Sequence, residues 1–88
     1  MAGQIEFRPN EQRWVYVLAD GQVKGELNYL VRDDAHWHIH HTGVDASLQG
    51  QGIARLLVDA ADAHAQAENI QLSSSCSYAT KVLARKHA

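Results

Sequence analysis

The first half of the chain alternates between apolar and polar residues with a period of two, which predicts β-strands that have one face against a core. Turn residues divide this half into four segments, at residues 4–8, 13–19, 23–31 and 35–44. Asp20 and Gly21 predict a two-residue hairpin turn between the second and third segments. Because consecutive strands joined by short turns run antiparallel, we expect a four-stranded meander.

The period changes to 3.6 after Gly52, which predicts a helix. Its inward face would carry Ile53, Leu56, Leu57, Ala60, Ala63 and Ala67, and its outward face Arg55, Asp59, Asp62 and Gln66. A short strand follows at residues 70–73, and then a second helix at residues 76–86, with its N-cap expected among the serines at 73–75. The order β-β-β-β-α-β-α predicts an α+β (mixed α/β) fold whose fifth strand runs parallel to the fourth after a right-handed crossover.

The composition is typical of a globular chain, with 45% hydrophobic and 20% charged residues among 88. This length predicts one domain over residues 1–88. A formal net charge of −2 offers no basic surface to nucleic acid, so we expect no nucleic-acid partner. No apolar run approaches the ~20 residues of a membrane span, so we expect no membrane partner either. The single cysteine cannot form an internal disulfide, which favours a cytoplasmic location.

The stretch from Asp45 to Asp59 carries two glycines, Gly50 and Gly52, directly before the first predicted helix. Glycine permits positive φ angles and a close approach of ligand to backbone, and a helix N-terminus offers free N–H groups to an anion. The pattern is not a P-loop, because no Gly-Lys-Ser/Thr follows. It is not the dinucleotide fingerprint, because Arg55 stands where the third glycine belongs. On this pattern alone, an anion-binding loop and a tight packing turn are equally good interpretations.

Three motifs in register resemble those of the GNAT (Gcn5-related) N-acetyltransferases. Residues 49–54, Gln-Gly-Gln-Gly-Ile-Ala, fill every position of the family's acetyl-CoA loop, Gln/Arg-x-x-Gly-x-Gly/Ala. His-Thr-Gly-Val at residues 41–44 and Cys76 with Tyr78 are similar to the small single-domain GNAT-like acetyltransferases. The pattern of that group is roughly His-Thr-Glu-Val, the loop, and then Cys-Pro-Phe at the start of the last helix. The resemblance covers residues 37–86.

The resemblance implies that the cofactor is acetyl-CoA. In GNAT folds the fourth and fifth strands splay apart, and the pantetheine arm lies in the gap. The loop amides of residues 51–55 would hold the pyrophosphate, while Arg55 would either add a charged contact or pair with Asp59 on a solvated helix face. Lys81, Arg85 and Lys86 suit either the 3′-phosphate of CoA or an ordinary solvated face. The predicted cofactor-binding residues are Thr42, Gly43, Val44, Gln49, Gly50, Gln51, Gly52, Ile53, Ala54, Arg55, Tyr78 and Lys81.

The predicted catalytic residues are His41 and Cys76. Acetyl transfer requires the amine to lose a proton and the departing thiolate to gain one. His41 occupies the family's histidine position, and a pKa near ~6.5 suits a base at neutral pH. Cys76 begins a helix, and this position lowers the pKa of a thiol. Cys76 would then protonate the leaving thiolate or carry the acetyl group. The alternative is that Cys76 is only a small buried apolar residue. Gly43 and Ser77 depart from the Glu and Pro of the family pattern, which weakens the prediction of catalysis more than that of CoA binding.

We therefore predict an N-acetyltransferase that moves an acetyl group from acetyl-CoA directly to an amine. A protein lysine, an N-terminal amine, a polyamine and a small metabolite are all open as the acceptor. The first alternative is a domain that binds CoA without catalysis. The second is a metal-binding protein that uses His36, His38 and His40, which alternate on one strand face with His41 on the other. Because same-face neighbours lie ~6.5–7 Å apart along a strand, a polar strand face is favoured over a metal site.

Overall fold

The computed structural model describes residues 3–88, whose elements follow the predicted order. The strands are β1 (Gly3–Arg8), β2 (Arg13–Leu18), β3 (Val23–Asp33), β4 (His36–Val44) and β5 (Gln71–Ser74), and the helices are α1 (Ile53–Ala67) and α2 (Ser77–Lys86). The five strands form one sheet in the order β1-β2-β3-β4-β5. Neighbours from β1 to β4 pair antiparallel, and β5 pairs parallel with β4. The prediction of an α+β fold with this order is confirmed. Neither helix in this part of the chain is long and apolar enough to cross a membrane.

Three residues, rather than the predicted two, separate the hydrogen-bonded residues Leu18 and Gln22 at the turn between β2 and β3. The amide of Gly21 donates to the carbonyl of Leu18 at 2.9 Å, and the amide of Leu18 donates to the carbonyl of Gln22 at 2.9 Å. Gly21 has a φ of +88°, which places it after the tight turn as a left-handed bulge residue. A glycine suits this position because other residues rarely adopt such a φ angle.

A β-bulge at His40 changes the face on which His41 lies. In the β3–β4 register, Tyr29 pairs with Ile39 and Asn28 pairs with His41, so His40 is an extra residue on β4. Tyr29 and Ile39 are buried on the inner face. Asn28 precedes Tyr29 and so faces the other way, and His41, as the cross-strand partner of Asn28, therefore lies on the outer face of the sheet. The prediction that His41 and His38 lie on different faces of β4 is wrong, since the bulge shifts the alternation by one residue.

Both helices pack on the inner face of the sheet, where the hydrophobic core lies. The core residues come from β2, β3, β4, α1 and α2; they are Trp14, Tyr16, Leu27, Tyr29, Ile39, Ile53, Leu57, Val58, Ala61, Ala79 and Val82. An aromatic cluster occupies one end of this core. The Phe7 and Trp14 rings stack at 4.2 Å between centroids, the Tyr29 and Trp37 rings at 4.4 Å, and His64 of α1 lies 5.3 Å from Trp37.

The buried face of α1 is rotated from the prediction, although the helix bounds agree with it. Leu56 is 42% exposed, whereas Val58 and Asp62 are 0% and 5% exposed. The buried stripe therefore follows residues 53, 57, 61 and 65 and includes Asp62 beside it. Asp62 tolerates burial because His87 contacts its Oδ1 at 2.8 Å and Gln66 donates to its Oδ2 at 3.0 Å.

Candidate active site at the end of β4

Strand β4 has a free edge at its C-terminal end. The last paired residues of β4 and β5 are Ile39 and Ser74, and the amide of Ser75 donates to the carbonyl of Ile39 at 3.0 Å. Strand β4 continues to Val44, paired on its other side with β3. Residues 40–44 therefore lie beyond the end of β5, and no strand among residues 3–88 pairs with this edge of β4. An extended ligand can pair with such an edge as an added strand would.

The glycine loop lies between this edge and α1. Gly50 and Gly52 have φ angles of +84° and +80°, and no other group lies within 4 Å of the position where a Cβ would stand on either residue. Gly52 is the N-cap of α1, and the first helical hydrogen bond runs from the Leu56 amide to the Gly52 carbonyl at 3.1 Å. The loop is therefore open toward solvent, with the free amides of the first helical turn beside it.

The approach to the loop is fixed by two side chains. Asp45 caps the short 3₁₀ turn Ala46–Leu48 by accepting hydrogen bonds from the Ser47 amide at 3.0 Å and from the Ser47 hydroxyl. These bonds, together with the charge of Lys24, lower the pKa of Asp45. The side-chain amide of Gln49 donates to the Val44 carbonyl at 3.3 Å, which ties the start of the loop to the end of β4.

A cleft of about 300 Å³ runs along the loop and the first turn of α1. Its lining residues are Val44, Leu48, Gln49, Gly50, Gly52, Ile53, Ala54 and Tyr78. Apart from Leu48, all of them belong to the predicted cofactor-binding set. Leu48 lies in the 3₁₀ turn, where a single apolar residue without periodic neighbours gave no signal in the sequence. The cleft shows that the loop and the start of α2 face a common space.

The other predicted cofactor-binding residues lie around the cleft rather than in its wall. Gln51 is exposed in the loop, and Lys81 is exposed on α2. The Arg55 Nε lies 3.9 Å from Asp59 Oδ2 on an exposed helix face. Lys86 is directed at α1, because its Nζ lies 3.1 Å from Asp59 Oδ1. For Arg55 and Lys86 the geometry thus shows the ion pair of a helix surface.

Cys76 is the N-cap residue of α2, in place of the serine that we expected. The Ser74 hydroxyl accepts from the Cys76 amide at 3.1 Å and donates to the Cys76 carbonyl at 3.0 Å, which holds this residue at the helix start. Its thiol is half-buried beside Thr42 of β4. Burial by itself raises the pKa of the Cys76 thiol, but the amide of Ala79, the hydroxyl of Thr42 and nearby amides outweigh it, so that the pKa is lowered.

The hydroxyl of Thr42 has no hydrogen-bond partner, although its oxygen is buried. It lies close enough to the Cys76 sulfur to favour the thiolate, while its geometry falls short of a hydrogen bond. A buried hydroxyl without a partner is uncommon, because its desolvation is uncompensated. Thr42 therefore places a buried hydroxyl beside the Cys76 sulfur at the end of β4.

The side chains of His41 and Cys76 lie on opposite sides of β4. Thr42, beside the Cys76 thiol, pairs with the buried Leu27 on the inner face. His41 pairs with Asn28 on the outer face, and its side chain is 53% exposed. The structure thus places the two predicted catalytic side chains on either side of the free edge rather than next to each other.

The histidines near the start of β4 are engaged in hydrogen bonds with serines. The Ser73 hydroxyl lies 2.7 Å from His36 Nε2 and 2.7 Å from His38 Nδ1, and the Ser75 hydroxyl lies 2.9 Å from His38 Nε2. Within residues 3–88, no three His, Cys, Asp or Glu side chains are grouped in a way that could hold a metal ion. The geometry therefore gives the metal-binding alternative no support.

Known proteins with related sequences and structures identify the family. The family model of the GCN5-related N-acetyl-transferases matches residues 13–88. A GCN5-like protein from Staphylococcus aureus, solved by NMR, superimposes with a TM-score of 0.73 at 29% identity, over 94% of this chain and 79% of that one. Rv2747 from Mycobacterium tuberculosis, in complex with CoA, superimposes with a TM-score of 0.69 at 25% identity, over 86% of this chain and 47% of that one.

A third structure agrees in fold. A GNAT family acetyltransferase from Elizabethkingia anophelis with acetyl-CoA bound gives a TM-score of 0.64 at 16% identity, over 99% of this chain and 54% of that one. The chain thus spans about half the length of the Mycobacterium and Elizabethkingia proteins. No curated protein sequence matches it. Because the family model covers most of its length, the chain belongs to the GCN5-related N-acetyltransferase family.

Proposed function

We propose that residues 1–88 form one domain that binds acetyl-CoA and transfers the acetyl group to an amine. The observation that carries this proposal is the open cleft along the glycine loop, which adjoins the free edge of β4. Structures of related fold hold CoA or acetyl-CoA, which supports the same ligand for this chain. The free edge of β4 and the open glycines fit an extended ligand that carries phosphates and amides.

Each part of acetyl-CoA has matching residues in this arrangement. The amides of residues 51–55 at the start of α1 bind the pyrophosphate. The backbone of residues 42–44 pairs with the amides of the pantetheine arm, and Tyr78 forms the opposite wall of the cleft. Lys81 is an exposed cation on α2 that would bind the 3′-phosphate, whereas Arg55 would have to leave Asp59 before it could serve as a second cation.

The catalytic roles belong to His41 and Cys76. When bound, acetyl-CoA supplies an activated acyl group and a thiolate leaving group. A ring nitrogen of His41 takes the proton that the ammonium form of the acceptor must lose. The thiol of Cys76 would supply a proton to the thiolate that leaves acetyl-CoA, and the lowered pKa of Cys76 makes this thiol a stronger acid than an ordinary cysteine. His41 lies on the outer face, so the amine approaches from that side.

Isothermal titration of acetyl-CoA and of CoA tests the cofactor site first. We expect saturable binding by the wild type and its loss in Gly52→Trp, because the indole would fill the cleft beside the loop. Ala67→Trp is the matched control, since it adds the same ring to the exposed far end of α1. Because Gly52 has a positive φ, the variant must first be shown to unfold cooperatively.

The same titration separates the transferase from a domain that only binds CoA. Release of CoA thiol in the presence of amines, lost in His41→Gln while acetyl-CoA binding is kept, supports the enzyme. Binding without any amine-dependent release supports the binding domain. If millimolar acetyl-CoA produces no heat of binding in the wild type, both proposals are wrong.

A further inference from the structure

A row of charged side chains crosses the outer face of the sheet and ends at His41. Arg13 of β2 donates from Nη1 to Glu26 Oε1 of β3 at 3.0 Å, and His41 Nε2 of β4 lies 3.8 Å from Glu26 Oε2. The carboxylate therefore hydrogen-bonds a cation with one oxygen and faces the imidazole with the other, at an ion-pair distance that is longer than a hydrogen bond. The side chains of Arg13 and Glu26 are only 25% and 36% exposed, which reduces the screening of this arrangement by water.

Gly43 makes this position of the His41 ring sterically allowed. A Cβ on Gly43 would lie 3.0 Å from His41 Nε2 and 3.4 Å from Cε1. The imidazole thus covers the place where a side chain of residue 43 would stand. Glu26 is the direct cross-strand partner of Gly43, so a ring that leans over Gly43 also leans toward this carboxylate. Gly43 departs from the family motif, and the geometry gives the departure a role.

Arg13 keeps the carboxylate in place for the histidine. Its Nε also bonds Glu11 Oε1 at 2.6 Å, so its guanidinium joins two carboxylates and is held at both. The bonds to Glu11 and Glu26 raise the pKa of Arg13 despite partial burial, and the group remains charged at every working pH. A fixed guanidinium leaves Glu26 little freedom to turn away from His41.

A second cleft lies next to this row of side chains, on the face of β4 from which we expect the amine to approach. It has a volume of about 320 Å³ at the ends of β3 and β4, and Glu26, Gly43 and Val44 are part of its wall. Val44 also lines the cleft at the glycine loop. Both clefts thus have Val44 in their walls, and the second one lies on the side of β4 that pairs with β3.

We propose that Glu26 is the positioning residue for His41, holding its imidazole in the Nε2–H tautomer with Nδ1 free to accept the proton of the acceptor amine. This inference rests on the proposed acetyl transfer. In the proton-transfer step an N–H bond of the ammonium group breaks and an N–H bond forms at Nδ1. The product is an imidazolium that faces the Glu26 carboxylate, and the amine keeps the electron pair that attacks the acyl carbon. The carboxylate takes the place of an acidic side chain at residue 43.

The test compares Glu26→Ala with the wild type in two measurements. Nitrogen-15 NMR at a pH where the ring is neutral reports the tautomer, and we expect the Nε2–H fraction of His41 to fall in the variant. Steady-state kinetics with acetyl-CoA and a panel of amines, including spermidine and a lysine-containing peptide, should show kcat reduced by about tenfold or more. A tenfold loss is part of the ~10²–10⁴-fold rate increase that a general base contributes. The KM for acetyl-CoA should not change.

Two further variants keep the test decisive. Gly43→Ala leaves the carboxylate in place but requires the His41 ring to shift by a few tenths of an ångström, so we expect it to lower both the Nε2–H fraction and kcat. This variant provides a second test if the Glu26→Ala protein does not fold. Glu6→Ala is the matched control, because Glu6 lies on the same face, pairs with Arg8 at 2.6 Å and should affect neither quantity.

The outcomes distinguish this inference from the function on which it rests. If His41→Gln abolishes turnover while Glu26→Ala and Gly43→Ala leave the tautomer and kcat unchanged, the inference is overturned and the acetyltransferase stands. If the wild type releases no CoA with any amine, the proposed function falls and the role of Glu26 falls with it.

Discussion

The thiol of Cys76 is the residue whose ionisation the structure defines most directly. Its pKa is lowered because amides at the start of α2 and the Thr42 hydroxyl outweigh the opposing effect of burial. A lowered pKa means that the thiolate fraction at neutral pH exceeds that of an ordinary cysteine. We therefore expect the rate of alkylation by iodoacetamide to reach half its maximum at a lower pH in the folded protein than in the same protein in urea.

Thr42→Val tests the cause of this shift. The variant removes the hydroxyl and keeps the volume, so the alkylation midpoint should move to higher pH, toward the value in urea. Thr80→Val is the control, since the Thr80 hydroxyl lies 3.4 Å from the Ser74 carbonyl and is no part of the thiol's surroundings. Equal midpoints in the wild type and Thr42→Val would contradict the assignment of the hydroxyl.

Single residues differ in how far the sequence could place them. Gly50 and Gly52 were predictable as loop residues because glycine next to a helix start has a local cause, the positive φ. The face of His41 was not predictable, because the bulge at His40 arises from the pairing of β4 with β3. Glu26 was missed for a related reason: its neighbour Gly43 is 17 positions away in sequence and adjacent only through the strand register.

Helices α1 and α2 are joined by a buried carboxylate. Asp62 of α1 accepts from Gln66 at 3.0 Å, contacts His87 at 2.8 Å and lies 3.9 Å from the Lys86 ammonium group. The adjacent Asp59 receives the same ammonium group at 3.1 Å. This group of contacts fixes the end of α2 on the middle of α1, and with it the angle at which the start of α2 meets β4.

Asp62→Ala should therefore reduce the free energy of unfolding substantially. We expect a loss of about 1–3 kcal/mol, because the variant removes a buried carboxylate that several polar side chains share as their partner. Arg55→Ala is the comparison: its pair with Asp59 is 3.9 Å apart and exposed, and such pairs contribute about 0.5 kcal/mol or less. Urea unfolding followed by circular dichroism measures both. If the two variants lost the same free energy of unfolding, the buried contacts of Asp62 would contribute no more stability than an exposed ion pair.

At the scale of elements, the helix and strand bounds followed from local patterns, while the buried side of α1 did not. Asn69 ends α1 with a φ of +57°, and the amide of Ile70 donates to the Ala65 carbonyl at 2.7 Å, a common helix ending that Asn favours. Asp62 was assigned to solvent because a carboxylate is rarely buried without partners. Gln66 is a local partner, but Lys86 and His87 come from the end of the chain, which only the assembled fold brings back to α1.

The whole domain is small, so a bound ligand should change its stability visibly. A ligand at one hundred times its Kd stabilises the folded state by about 2.7 kcal/mol. For a domain of this size about 1 kcal/mol raises Tm by roughly 4–8 °C, so we expect acetyl-CoA to raise Tm by about 10 °C or more. Differential scanning calorimetry with and without acetyl-CoA measures the shift, which Gly52→Trp should lack. An unchanged Tm at saturating ligand would contradict a cofactor site of the native state.

The sequence predicted strands and their order across the whole molecule, but not how the outer face is covered. Val15 of β2 is 0% exposed. Both helices of residues 3–88 nevertheless pack on the other face. Val15 lies between its cross-strand neighbours Glu6 and Glu26, and paired charged side chains can cover an apolar residue with their stems. Coverage by side chains leaves no periodic trace in a sequence.

The aromatic cluster has a consequence for how this molecule can be observed. Both tryptophans of the chain, Trp14 and Trp37, belong to it, with ring centroids 6.3 Å apart, and His64 of α1 contacts both. His64 lies about 16 Å along the helix from the glycine loop, at ~1.5 Å per residue. Intrinsic fluorescence therefore reports the packing of the core beneath the far half of α1, and the cleft beside the loop contributes no indole to the signal. Tryptophan fluorescence thus follows the unfolding of this protein, and occupancy of the cleft by a cofactor has to be followed by another signal.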